Sequence, residues 1–363
     1  MKRILRVKIL PIILTAAMIL SLSACGTKPA EKASQEEPVR RYVDAVGREV
    51  ELPEQIDRVA VSGPMAQMLL FALCPDRLVG IATQWDPRAE EYLEEKYYDL
   101  PVIGQLYGGK GELNLETLLS SGAQVVIDVG EPKSAVAEDL DALQAQTGIP
   151  FVHISVTTAT AGEAYRELGT LLGMEEEAQR LGAYCDRVYA NMKELTDSVE
   201  KVDALYLLGT EGDHVIARNS YHSEVMDLLT NNLAVVETPS SKGTGNEVDL
   251  EQILSWDPEV ILFGDGSVYE SVAGDPLWQN ITAIRKGNYY EVPFGPYNWM
   301  GFPPSVQRYL GMLWLGALLY PEQIEYDLYE EVRTYYDLFY HCELTEDQFY
   351  ALVKNSIGKG GET

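Results

Sequence analysis

Basic residues and cysteine are scarce in this sequence. Its 363 residues include 28 Lys and Arg against 56 Asp and Glu, which gives a formal net charge of −28 at pH 7. Because nucleic-acid-binding proteins need basic clusters to neutralise phosphates, this charge argues against a nucleic acid as partner. The cysteines after residue 25 are Cys74, Cys185 and Cys342, and none belongs to a C-x-x-C pair. An odd set without that spacing predicts buried thiols rather than a disulfide framework.

The short motifs that mark common enzyme classes are absent. The sequence contains no G-x-S-x-G, no H-E-x-x-H, no G-x-x-x-x-G-K-[ST] and no G-x-G-x-x-G. The glycine clusters Gly108-Gly109 and Gly243-Thr244-Gly245 are not followed by the helix that a phosphate-binding loop requires. We therefore predict that the protein is not an enzyme and has no cofactor. A surface-anchored hydrolase with unrecognised motifs is the alternative.

In this sequence, only the N-terminus contains an apolar stretch typical of a membrane-targeting signal. Four basic residues within the first eight precede the apolar stretch Ile9–Leu22, which is too short to span a bilayer but suits a signal-peptide core. The stretch ends in Leu22-Ser23-Ala24-Cys25, which resembles the cleavage signal of bacterial lipoproteins. That resemblance implies cleavage before Cys25, lipidation of its thiol and an extracytoplasmic protein anchored to the membrane. A plain secreted protein is the alternative.

Strand and helix patterns alternate on both sides of one long helix. Apolar residues spaced three and four apart from Ala178 to Val199 predict an amphipathic helix over Glu175–Val199. The alternation before and after it predicts mostly parallel α/β sheets. The heptad pattern of the long helix stops after about three and a half repeats, so we expect a monomer rather than a coiled-coil dimer.

Two segments indicate an internal repeat. Leu113–Leu119 reads L-N-L-E-T-L-L, and Val248–Leu254 reads V-D-L-E-Q-I-L. Each is followed at the same distance by a short apolar run that predicts a buried strand, Val125–Asp128 in the first case and Val260–Phe263 in the second. A chance pair of helix starts would not reproduce the strand, so we predict a structural repeat.

Together these features resemble one family. They are the lipoprotein signal, the opening Asp44…Gly47-Arg48…Leu52-Pro53…Arg58-Val59, the paired L-E segments and the connecting helix. The chain resembles the substrate-binding lipoproteins of ABC importers for iron–siderophores, haem and cobalamin, over essentially residues 41–320. The resemblance implies two Rossmann-like α/β lobes joined by one long rigid α-helix, with the ligand cleft between the lobes. It implies a metal chelate as ligand, with another metal complex or an oxyanion such as molybdate as the alternative.

The same resemblance implies partners and two docking residues. The partners are an ABC permease dimer with its ATPase. Glu116 and Glu251 occupy the positions that dock onto permease arginines in that family. A second interpretation is that both glutamates favour the N-termini of their helices, and the two roles are compatible.

The predicted segments follow from these patterns. They are a signal peptide (1–24), a lipidated N-terminus and tether (25–40), an N-terminal lobe (41–160), connecting helices (161–200), a C-terminal lobe (201–320) and a helical tail (321–363) packed on the second lobe.

The predicted binding site lies where the loops after the strands of both lobes meet. Its predicted ligand-binding residues are Met65, Trp85, Tyr107, Arg218, Tyr221, His222, Tyr297 and Trp299. The aromatic side chains could enclose a flat or bulky chelate, and Arg218 could bind an anionic group. Alternatively, His214 and His222 could ligate a transition metal. Residue patterns leave these two modes open.

Overall fold

A computed structural model describes residues 38–107 and 112–357 of the chain. The predicted signal peptide, Cys25 and most of the tether lie outside the described residues. The described residues from Val39 onward belong to one unit of the chain, so its lobes can be compared directly.

An antiparallel hairpin of β1 (Val39–Val43) and β2 (Glu49–Pro53) opens the first lobe, as the sequence predicts. Gly47 provides the positive φ of the turn, +81°. The buried Arg48 donates a hydrogen bond of 3.0 Å to the Asp44 carboxylate and one of 2.8 Å to the carbonyl oxygen of Phe151. These contacts fasten the hairpin to the sheet of the first lobe.

A parallel sheet forms the centre of the first lobe. Its strands are β3 (Val59–Val61), β4 (Val125–Gly130) and β5 (Phe151–Ser155), in that order. Its helices are α1 (Pro64–Leu73), α2 (Leu115–Ser121), α3 (Val136–Thr147) and α4 (Ala161–Leu172). The apolar segments Leu78–Ala82 and Val102–Ile103 pair only through isolated bridges, Val59 with Leu78 and Ile81 with Val102.

The long helix α5 spans Glu175–Ser198, within one residue of its predicted end. Its buried stripe includes Ala178, Leu181, Cys185, Val188, Met192 and Leu195, the residues whose spacing predicts the helix. At 1.5 Å rise per residue the helix is roughly 36 Å long, enough to reach from one lobe to the other.

The second lobe contains a mixed sheet with the order β11-β10-β6-β7-β9, and β8 pairs beside β6. Its strands are β6 (Asp203–Leu208), β7 (His214–Val215), β8 (Asn231–Asn232), β9 (Asn246–Glu247), β10 (Val260–Phe263) and β11 (Tyr289–Glu291). Its helices are α6 (Glu224–Leu229), α7 (Leu250–Trp256), α8 (Thr282–Lys286) and α9 (Arg308–Leu319). Strands β6, β10 and β11 are parallel, whereas β7 runs antiparallel to β6.

The predicted repeat is present at matching helix starts. Asn114 caps α2 by accepting a hydrogen bond of 3.0 Å from the N–H of Thr117. Asp249 caps α7 in the same way, with 2.8 Å to the N–H of Gln252. The helices precede the equivalent strands β4 and β10 in the two lobes.

The C-terminal segment contacts both lobes, which corrects the expectation that it packs on the second lobe. It contains α10 (Leu328–Tyr335), a π-helical turn (Tyr336–Tyr340) and α11 (Glu346–Leu352). The ring of His341 lies 5.7 Å from that of Phe71 in the first lobe. The hydroxyl of Tyr336 donates to the carbonyl oxygen of Gly295 in the second lobe. The aromatic residues of the tail fill space between the lobes because both surfaces there are apolar.

The cysteines and the hydropathy agree with the sequence-based expectations. Cys74 and Cys185 are buried free thiols, and Cys342 is a partly buried free thiol. Burial raises the pKa of the Cys74 thiol to about 12. Across residues 38–107 and 112–357, none of the helices has the length and hydropathy needed to cross a membrane.

Candidate functional site

A pocket with about 370 Å³ of empty space, part of it open to solvent, lies between the lobes. The first lobe contributes Met65 and Leu69 of α1, Glu131 after β4, and Val156, Thr157 and Thr158 after β5. The second lobe contributes Tyr221 and Glu224 at the start of α6, and Ser305, Arg308 and Tyr309 at the start of α9. The carboxyl ends of β4 and β5 therefore open into the pocket, at the edge where the sequence predicts the site.

Arg308 is the cation of this pocket. The residue is 4% exposed. Its Nη1 atom donates to the Glu224 carboxylate and, at 3.1 Å, to Oγ1 of Thr158. Its Nη2 atom donates to the carbonyl oxygen of Tyr221 at 2.5 Å. The backbone at Gly301 packs directly against the Arg308 side chain. A Cβ atom at that position would lie 2.9 Å from Nε of Arg308, so glycine leaves the room that this contact needs. The guanidinium group is thus held in one position.

Thr158 joins the two lobes at the pocket wall. Its hydroxyl donates to Glu224, and its carbonyl oxygen accepts a hydrogen bond of 2.6 Å from the Tyr309 hydroxyl. Both partners belong to the second lobe, whereas Thr158 follows β5 of the first. Any movement that separates the lobes would break these bonds.

Hydroxyl groups surround the cation. Oγ1 of Thr157 lies 3.0 Å from Oγ1 of Thr160, and Oγ of Ser305 donates to the carbonyl oxygen of Met65 at 3.4 Å. The ring of Tyr221 lies 5.3 Å from the guanidinium carbon of Arg308. Burial raises the pKa of Tyr221, so its hydroxyl stays protonated at neutral pH and can donate. A buried arginine among hydroxyl donors suits an anion with several oxygen atoms.

Of the predicted ligand-binding residues, Met65 and Tyr221 line this pocket. His222 lies next to the pocket and stacks on Phe302, with ring centres 4.8 Å apart and planes 7° apart. Burial lowers the pKa of His222, and the charge of Arg308 lowers it further. His222 is therefore neutral at pH 7 in this structure and packs against Phe302, and its role in ligand binding stays a prediction.

Arg218, a predicted ligand-binding residue, does not line this pocket. Its guanidinium donates to Asn231, and the backbone of Asn231 pairs with Asp203, the first residue of β6. That is the amino end of the sheet, on the far side of α6 from the pocket. Because β7 is antiparallel to β6, the chain after β7 runs back towards this end and carries Arg218 away from the cleft.

The other aromatic residues of the predicted wall do not line this pocket either. Trp299 is 0% exposed and Trp85 is 2% exposed, so neither can stack on a ligand in this structure. The indole N–H of Trp85 donates to the carbonyl oxygen of Tyr97, and its ring packs on Phe71. Tyr297 packs towards Trp85, with ring centres 6.2 Å apart, outside the pocket.

Tyr107, the remaining aromatic of the predicted wall, lies on the first lobe away from the pocket. Its hydroxyl donates to Asp139 at 2.9 Å, and its ring lies 3.8 Å from Nζ of Lys133. These aromatic side chains sit in loops because the loops themselves are packed against neighbouring elements.

Direct metal ligation by histidine gains no support. Nδ1 of His214 lies 2.8 Å from the carboxylate of Asp213, on strand β7 and outside the pocket. Within the described part of the chain, no group of three or more His, Cys, Asp or Glu side chains is arranged to hold a metal ion.

Glu116 and Glu251 are exposed in the first turns of α2 and α7. Their equivalent positions on the two lobes follow from the repeat. Their role in docking stays a prediction.

Arg308, Glu224 and Thr158 are not among the ligand-binding residues predicted from the sequence. Arg308 carried a usable signal, because it is the only charged residue of the helix R-Y-L-G-M-L-W-L-G-A-L-L. A lone charge in an apolar helix is either paired or functional. Glu224 and Thr158 carry no such signal, since their contacts join parts of the chain that are far apart in sequence.

Known proteins resemble this chain over most of its length. The molybdate-binding protein MolA of Haemophilus influenzae is 27% identical over 346 residues, which cover 85% of this chain and 93% of MolA. The structure of MolA bound to molybdate has a TM-score of 0.65 at 21% identity, covering 84% of this chain and 99% of that one, and shows the same fold.

A solute-binding protein of an ABC transporter from Sulfurospirillum deleyianum has a TM-score of 0.79 and 27% identity, covering 87% of this chain and 99% of that one. The model of the periplasmic binding protein family matches residues 69–295, more than half of the chain. Members of this family are extracytoplasmic binding proteins of transporters rather than enzymes. The chain therefore belongs to the periplasmic binding protein family and is a solute-binding protein of an ABC transporter, with a permease and an ATPase as partners.

Proposed function

We propose that this protein captures a small oxyanion of the molybdate class and delivers it to the permease of its transporter. The observation that carries the proposal is Arg308, a buried arginine in a pocket between the lobes that is lined by Thr157, Thr158, Tyr221 and Ser305. Similarity to MolA, whose name records molybdate binding, supports the same class of solute.

The size and chemistry of the pocket favour a small anion. The pocket is narrow, and its lining combines one buried cation with several hydroxyl groups. The planar guanidinium of an arginine matches two oxygens of an oxyanion, and hydroxyl groups can donate to the others. A haem or a corrinoid would need wide aromatic or apolar walls, and Trp85 and Trp299 are buried in the core instead.

An anionic metal chelate is the second candidate. Arg308 would also bind a carboxylate or catecholate, and Met65 and Tyr221 offer apolar contact beside it. Such a ligand would have to leave most of its bulk outside the pocket.

Isothermal titration separates the two candidates. Purified protein without residues 1–24 is titrated with molybdate, tungstate, sulfate and a ferric catecholate. We expect saturable binding of molybdate and tungstate, strongly weakened in Arg308→Gln and Tyr221→Ala. Arg218→Gln is the matched control, because that arginine lies outside the pocket, and it should bind as wild type does. Binding of the chelate alone would replace the oxyanion proposal by the second candidate.

We further propose that lipid on Cys25 holds the protein at the membrane. The support is the order of basic residues, short apolar run and Leu-Ser-Ala-Cys in the sequence. Cys25→Ser should release the protein from washed membranes, whereas Cys74→Ser should not. If Cys25→Ser remains with the membrane, lipid is not the anchor.

A further inference from the structure

Glu224 already occupies the anion-binding face of Arg308. Its carboxylate accepts hydrogen bonds from Nη1 of Arg308 and from the hydroxyl of Thr158. Its side chain is 37% exposed, whereas that of Arg308 is 4% exposed. The charge of the cation is therefore neutralised in this structure, and the carboxylate is the more exposed partner of the pair.

We propose that Glu224 is a resident counter-anion that the solute must displace, so that binding at this site is an exchange of one anion for another. The proposal rests on the function proposed above and concerns its affinity and selectivity. In the exchange, oxygens of the solute take over the bonds from Arg308 and Thr158, and the Glu224 side chain turns towards solvent.

The charges of the pocket explain why such a group is needed. A buried guanidinium without a partner is strongly destabilising, so the empty pocket requires a carboxylate in contact with Arg308. The same carboxylate repels an incoming anion and must lose its own bonds. The free energy gained on binding the solute is therefore smaller than it would be at an arginine without a bound carboxylate.

The exchange also selects among solutes. When Glu224 leaves, two donors lose their acceptor, the charged guanidinium of Arg308 and the hydroxyl of Thr158. Both donors are positioned for oxygen acceptors. An oxyanion can accept from both, whereas chloride or another single-atom anion can accept from only one at a time. The modest affinity that results would assist release to the permease.

Glu131 offers a matched comparison. It is a second carboxylate on the wall of the same pocket, but it is exposed and forms no hydrogen bond to Arg308 in the described structure. Replacing it removes the same amount of charge from the pocket without freeing the cation. The contrast between the two positions therefore separates displacement from general repulsion.

The test is titration of molybdate into wild type, Glu224→Gln and Glu131→Gln, with thermal unfolding of each. We expect Glu224→Gln to bind molybdate at least about tenfold more tightly than wild type, and Glu131→Gln to change the affinity by about twofold. We also expect Glu224→Gln to melt at a lower temperature without ligand and to gain more on adding molybdate, because ligand restores a partner to Arg308.

Two outcomes overturn the inference. If wild type binds molybdate and Glu224→Gln binds it equally or more weakly, Glu224 is no competitor and the proposed function stands without it. If neither protein binds molybdate or tungstate, the proposed function and the exchange both fail. Should Glu224→Gln not fold, Glu224→Asp keeps a charge but shortens the reach to Arg308, and it should tighten binding in the same direction.

Discussion

Arg88 of the first lobe and Asp265 of the second form an ion pair, with 3.0 Å between Nη1 and Oδ2. The guanidinium carbon of Arg88 also lies 3.3 Å from the ring centre of Phe294 in the second lobe. This contact lies in a cavity shared with Glu291 and Lys354, apart from the pocket of Arg308. Side-chain contacts therefore link the lobes at this cavity as well as at the pocket of Arg308.

We predict that the Arg88–Asp265 pair contributes little to stability. Both side chains are nearly half exposed, 44% and 45%, so solvent screens their attraction. A double-mutant cycle of Arg88→Ala and Asp265→Ala in urea should give a coupling energy of about 1 kcal/mol or less, which decreases at high salt. A coupling above about 2 kcal/mol would mean that the pair holds the lobes together.

Ligand binding should change the overall dimensions very little. One 24-residue helix, the hydrogen bond from the Tyr309 hydroxyl to the carbonyl oxygen of Thr158 and the aromatic tail all resist hinge bending. Small-angle scattering with and without molybdate should give the same radius of gyration within error. A clear contraction on adding molybdate would contradict this picture of rigid lobes.

Trp299→Ala should reduce stability rather than ligand affinity alone. The side chain is 0% exposed, and its removal leaves a large cavity beside α9, so we expect a loss of about 3–5 kcal/mol in the free energy of unfolding. Trp256→Ala is the control, because that tryptophan is only partly buried at the end of α7 and should cost much less. Stability is measured by chemical denaturation. If Trp299→Ala and Trp256→Ala lose the same free energy of unfolding, burial of Trp299 does not explain its contribution to stability.

Local sequence patterns predict much of the fold but few of the residues that line the pocket. The stripe from Ala178 to Leu195 predicts α5 because helix periodicity is written in neighbouring residues. The repeat predicts matching helices after Asn114 and Asp249 for the same reason, and the structure shows both residues as their N-caps. A resemblance between segments of one chain needs no knowledge of how the chain folds in space.

Arg218 and Arg308 show what local sequence patterns cannot predict. Arg218 and Arg308 both precede apolar helical residues, and loop position favoured Arg218. The antiparallel direction of β7 decides between them, and a two-residue strand leaves almost no trace in the sequence. Likewise, tryptophans in loops suggested a ligand wall, although these loops are themselves buried by the C-terminal segment.

Permease docking should depend on Glu116 and Glu251 together. Both carboxylates are exposed at equivalent helix starts of the two lobes, so each can meet one half of a permease dimer. We expect the double replacement by Ala to abolish uptake by cells while leaving molybdate affinity unchanged. Glu138→Ala with Glu177→Ala, also exposed first-turn glutamates, is the matched control and should support normal uptake. Loss of molybdate affinity in the first variant would place these residues in binding rather than docking.

His222 should make the protein less stable in mild acid. Burial, and next the charge of Arg308, lower the pKa of His222 below its ordinary value of 6.5. Between the two pKa values the unfolded chain binds more protons than the folded one, so the free energy of unfolding falls as pH decreases below about 6.5 and levels off below the folded pKa. Each unit by which the pKa is lowered corresponds to about 1.4 kcal/mol.

The measurement combines nuclear magnetic resonance with denaturation at several pH values. The sequence has four histidines, so single substitutions can assign each ring signal. We expect the His222 signal to titrate below pH 6.5, and His222→Phe to flatten the loss of stability in acid while keeping the stack on Phe302. Phe302→Ala is the counterpart, because it exposes the ring and should raise the pKa of His222 towards 6.5. If His222 titrates at or above 6.5 in the wild type, then neither burial nor Arg308 controls its charge, and the ring is more accessible than its stack on Phe302 implies.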